Sequence, residues 1–104
     1  MVPEIVRQAV QIKMTCRSEC PLISEAEYMC ACAMALKELQ APEELTVKLG
    51  QETRIEGLRK ELTPYFQEKR EACQEDPKLH RLLSLLVHSR VEGEITDEVW
   101  ALAR

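Results

Sequence analysis

Apolar residues recur along most of the chain at the three- and four-residue spacing of a helix with one face turned inward. Over the first sixteen positions Ile5, Val6, Ala9, Val10 and, at the margin, Lys13 form such a stripe, which predicts a first helix from Met1 to about Cys16. "RSECPL" interrupts it. "ISEAEY" then carries the most explicit start signal in the chain. Ser24 as N-cap and Glu27 three residues on can form a capping box, each satisfying an orphan N–H at the helix start. Ile23 and Tyr28 stand at the two positions of a hydrophobic staple. This helix should run to about Gln40, and from Tyr28 to Leu36 it has no charge on any side, as expected of a buried helix.

"APEELTVKLG" predicts a short helix stopped by Gly50. Ile55, Leu58, Leu62 and Tyr65 continue a helical series across Thr63–Pro64, a junction that is either a kink or a new start capped by Thr63. Glu56 and Lys60 make a favourable pair on its wet side. Asp76–Pro77 is a second cap-and-proline start, opening a leucine-rich helix over 77–91 with Leu79, Leu82, Leu83 and Leu86 on one wide face. A turn follows at Gly93. Thr96 then caps a short last helix, with Asp97 and Glu98 at its positive end and Ile95 stapled onto Trp100. The expectation is an all-α fold in a single helical domain, 1–104: a compact bundle of five to seven short helices around a buried central helix, about 24–40.

Length and composition agree with this. A chain of 104 residues can bury one core, and its 45% apolar and 31% charged residues are those of a globular protein. With three glycines and few β-branched runs, a sandwich or barrel is disfavoured. The net charge of −4 leaves no electrostatic footprint for nucleic acid or an anionic membrane. No apolar run is long enough to cross a bilayer, and Glu4 interrupts the N-terminal stretch where a signal peptide needs an apolar core. Five cysteines, an odd number with no secretion signal before them, read as free thiols in a reducing compartment, so the cytoplasm is the expected location.

The candidate chemistry is concentrated in "MTCRSECPLISEAEYMCACAM", residues 14 to 34, which holds four of the five cysteines and three of the four methionines. Cys16, Cys20, Cys30 and Cys32 could serve a thiol or soft-metal sensor. Their spacing is poor for it: Cys30 and Cys32 point about 200° apart on one helix and cannot grip a single ion. Small and pliable side chains that let neighbouring helices approach are the simpler account. Residues 42–62 resemble a helix-turn-helix, with Leu45 and Leu49 before Gly50 and Ile55 and Leu58 after it. The second helix, however, sets Glu52, Glu56 and Glu61 against Arg54, Arg59 and Lys60, and so has no surplus of positive charge for phosphates. A calcium loop around Gly93 fails because His88, Arg90 and Val99 occupy carboxylate positions. The sequence around His80 and His88 carries no catalytic motif, and there is no phosphate-binding glycine loop.

The sequence therefore points to a small non-enzymatic cytosolic protein that acts through protein–protein interaction, as an adaptor or regulator. Its partner is another protein or a second copy of the chain, with no cofactor, metal, nucleic acid or membrane. A DNA-binding regulator using 42–62 and a thiol or soft-metal sensor remain as alternatives. The expected interaction surface is Leu82, Leu85, Leu86, Val99 and Trp100. Those leucines spread over more than one helix face, and tryptophan is enriched at binding hot spots.

Overall fold

The computed structural model describes residues 4–15, 21–51, 54–92 and 99. The described residues form helices α1 (Glu4–Thr15), α2 (Glu25–Glu38), α3 (Glu43–Gln51), α4 (Ile55–Ala72) and α5 (Pro77–His88), with two short strands, β1 (Leu22–Ser24) and β2 (Arg90–Glu92). The fold is all-α, with a three-residue strand pair added.

Both cap signals are realised. At the start of α2 the Glu27 N–H donates to Ser24 Oγ and the Ser24 N–H donates to Glu27 Oε1, each at 3.2 Å. Ile23 and Tyr28, the staple pair, are both buried in the core. The other end of α2 closes with the Ala41 N–H on Leu36 O and the Gln40 N–H on Lys37 O, a Schellman arrangement. It requires the residue after the C-cap to be left-handed, and Gln40 takes φ 50° there without the freedom of a glycine. At α5 the Leu79 N–H donates to Asp76 Oδ1, and Pro77 occupies the first turn, where its missing N–H costs nothing.

Three expectations are corrected. Gly50 does not stop α3, which runs on through Gln51. Of the two readings of Thr63–Pro64, a kink or a new start, the new start is ruled out, because α4 is one helix from Ile55 to Ala72 with Pro64 inside it. Pro64 is exposed, so the Lys60 carbonyl that loses its N–H partner faces water, and the helix survives the residue. The leucine helix ends at His88 and not at 91. Ser89 turns extended (φ −65°, ψ 150°) and Val91 joins β2. β2 pairs in parallel with β1 in the register Leu22↔Arg90, Ile23↔Val91, Ser24↔Glu92. Gly93, Ile95, Thr96, Asp97, Glu98 and Trp100 lie outside the described residues, as do Cys16 and Cys20.

Helix α2 packs against α1, α3 and α5, and α5 packs against α4, α2 and α1. Tyr28, Met29, Cys30, Ala31, Cys32, Ala35 and Leu36 of α2 are all buried, which accounts for its uncharged stretch. Phe66, Leu62 and Leu58 of α4 and Leu83 and Leu86 of α5 complete the core. Each such side chain contributes about 1.5–3 kcal/mol by leaving water. Arg59 reaches Val87 O and Arg70 reaches Ser84 Oγ, so α4 and α5 run antiparallel as a hairpin.

Candidate functional site

The sulfur-rich stretch is structural where it is described. Cys30 and Cys32 are buried, Met29 lies in the core, and Met14 and Met34 pack against it. Burial pushes the Cys32 thiol up to about 12 and also raises that of Cys30, on which Glu27 acts in the same direction. Burial thus favours the neutral form of both thiols. Among the described residues no three histidine, cysteine or acidic side chains converge in a way that could hold a metal ion.

The leucine surface is also redrawn. Leu82, Leu85 and Leu86 are buried, so they are not offered to a partner. Three helices surround α5, and its wide apolar face is divided among them. Val99 is half-buried and packs against the same core.

In residues 42–62, α3 and α4 do pack together, with Leu49, Ile55 and Leu58 buried between them and the rest of the core. The outer side is tied by Lys48 Nζ donating to Glu61 Oε2 at 2.8 Å. Each partner stabilises the other's charge, so Lys48 titrates above its ordinary value and Glu61 below. Glu56, Lys60 and Glu61 share the exposed side of α4, an arrangement that presents no basic stripe.

A polar node that the sequence did not disclose lies between α2, α4 and α5. The Arg59 guanidinium stands 5.5 Å from the centre of the buried Tyr28 ring and donates from Nη2 to the Val87 carbonyl at 3.2 Å. Its Nη1 is buried without a conventional acceptor; the face of the Tyr28 ring supplies an attractive electron cloud. The Tyr28 hydroxyl has the Cys32 thiol as its polar neighbour but forms no well-aligned bond. Burial, with Cys32 next in importance, holds the Tyr28 phenol above its ordinary value. Arg59 reads in sequence as one charge among several on a helix, and no local signal marks it as turning inward.

The clearest outward apolar feature is on α1. Ile5 is 76% exposed and Ile12 68%. Seven residues apart, they stand on the same side of the helix two turns from one another. The expected inward stripe holds at Val6 and Val10 and is extended by Met14, but Ile5 is turned out of it. On the same helix the Lys13 ammonium reaches Glu27 Oε1 at 3.0 Å and the Leu22 carbonyl at 2.8 Å. Leu22 and Val47 are further exposed apolar side chains. Among the described residues, no helix is long and apolar enough to cross a membrane.

Comparison with known proteins gives a match over the whole chain. Residues 1–104 fit the family described as a domain of unknown function (DUF3837). No curated protein and no solved structure matches.

Proposed function

The chain belongs to the DUF3837 family, and we propose that it acts through protein–protein interaction, as a small cytosolic adaptor or regulator without catalytic activity of its own. The observation that carries this reading is the outward pair Ile5 and Ile12 on α1. Two large aliphatic side chains held in water on one helix face gain free energy when a partner covers them. The surface thus moves from the leucines of α5, which are consumed by the fold, to the outer side of α1. The DNA-binding alternative finds no support in α4, where acids and bases share the exposed side.

The test is the double substitution Ile5→Glu, Ile12→Glu. Both side chains project into solvent, so helical content should be unchanged and the stability should stay within about 0.5 kcal/mol of wild type. Sedimentation of the purified protein over a range of concentrations, and of the protein mixed with a partner recovered by crosslinking, should show association in wild type and its loss in the variant. Association that survives both substitutions would remove α1 as the contact surface.

A further inference from the structure

The β1–β2 pair is held by little. Three residues on each side make the ladder, and of β2 only Val91 turns partly inward, while Arg90 and Glu92 are exposed. Beneath it Ile23 is 1% exposed. A short two-stranded ladder with one half-buried apolar contact is marginal in water.

The residue that joins β2 to α5 is unusual as well. Ser89 is the C-cap of α5 in extended conformation, and it is buried with no hydrogen-bond partner for its hydroxyl. A desolvated hydroxyl raises the free energy of the closed arrangement, a cost that water would cancel on opening. Upstream the chain is pinned, since Arg59 grips the Val87 carbonyl and the Ser89 N–H closes on Leu85 O. Movement beyond Ser89 therefore need not disturb α5.

We infer that β2 is a latch: residues 90–92 lift off β1 between Ser89 and the core-packed Val99 while the helices stay together, exposing the strand edge of Ile23 and hydrating the Ser89 hydroxyl. Opening breaks the bond from the Arg90 N–H to the Pro21 carbonyl, 2.8 Å when closed. The helices keep their contacts with one another in the open form, and only those of β2 with β1 and α2 are given up. The motion belongs to the class of local openings that proteins make at far lower free energy than global unfolding.

Amide hydrogen exchange of the intact protein, followed by NMR at low denaturant concentrations, tests this. The Arg90 amide should exchange at least about a hundredfold faster than those of Leu62 and Phe66 after correction for intrinsic rates, with little dependence on denaturant. Ser89→Ala, which removes the orphan hydroxyl from the closed form, should slow Arg90 exchange roughly tenfold. An Arg90 amide that exchanges only with global unfolding would overturn the latch. So would an Arg90 rate that Ser89→Ala leaves unchanged or makes faster.

Discussion

Cys32 shows how burial changes a side chain's chemistry. Its thiol is fully enclosed and is pushed up to about 12 from an ordinary 9.0. The unfolded chain releases that proton near the ordinary value and the folded chain does not. The stabilisation is thus complete below about pH 9 and is lost as the pH rises from there toward about 12. The raised Tyr28 phenol acts in the same direction at higher pH. Thermal denaturation at a series of alkaline pH values should show the melting temperature falling from about pH 9 upward. In Cys32→Ala that fall should be shallower, even though the variant starts from a lower melting temperature because its core has lost an atom. Parallel curves for the two proteins would mean that Cys32 is not the titrating group.

Among the helices, α4 has the greatest margin for improvement. Pro64 sits in its interior, where a proline costs about 3 kcal/mol relative to alanine. Its wet position tempers that cost, because water can bond the Lys60 carbonyl. Pro64→Ala restores the missing N–H, and stability should rise by about 1–2 kcal/mol, a gain of at least about 4 °C in melting temperature. Urea titration gives the same quantity independently. A loss of stability would show instead that the restriction proline places on the unfolded chain outweighs the missing hydrogen bond. The starts of α2 and α5, by contrast, are already well made: Ser24 with Glu27 and Asp76 with Pro77 are both readable as caps, and both form.

Taken as a whole, the molecule depends on cross-links between elements distant in sequence. Arg59 joins three of them, with its ring contact on α2 and its bond to the last turn of α5. Arg59→Met keeps the aliphatic stem but leaves the Val87 carbonyl without its donor, so it should cost about 1–3 kcal/mol by chemical denaturation. Arg59→Lys should recover only part of this, because a point charge cannot both lie flat over the ring and reach the carbonyl. Equal stability of all three proteins would reduce Arg59 to a surface charge. Lys13 makes a second link of this kind, from α1 to Glu27 and Leu22.

The local code of the chain was sufficient for the helical class, the caps and the inward character of residues 28–36. Each of those depends on side chains within four or five positions of one another, where helical geometry alone decides which groups meet. What lay beyond it were the facts set by distant neighbours. Nothing near Ile5 says that α1 will dock through Val6, Val10 and Met14 and leave the isoleucine outward. Nothing near Leu85 says that α5 will be enclosed by three helices, so that a surplus of leucine becomes core and not contact surface. The β1–β2 ladder joins Leu22–Ser24 to Arg90–Glu92, segments with no pairing signal of their own, because α2 and α5 have already brought their ends together. Periodicity tells how much apolar surface a helix carries; only the packing of the other helices decides how much of it is left for a partner.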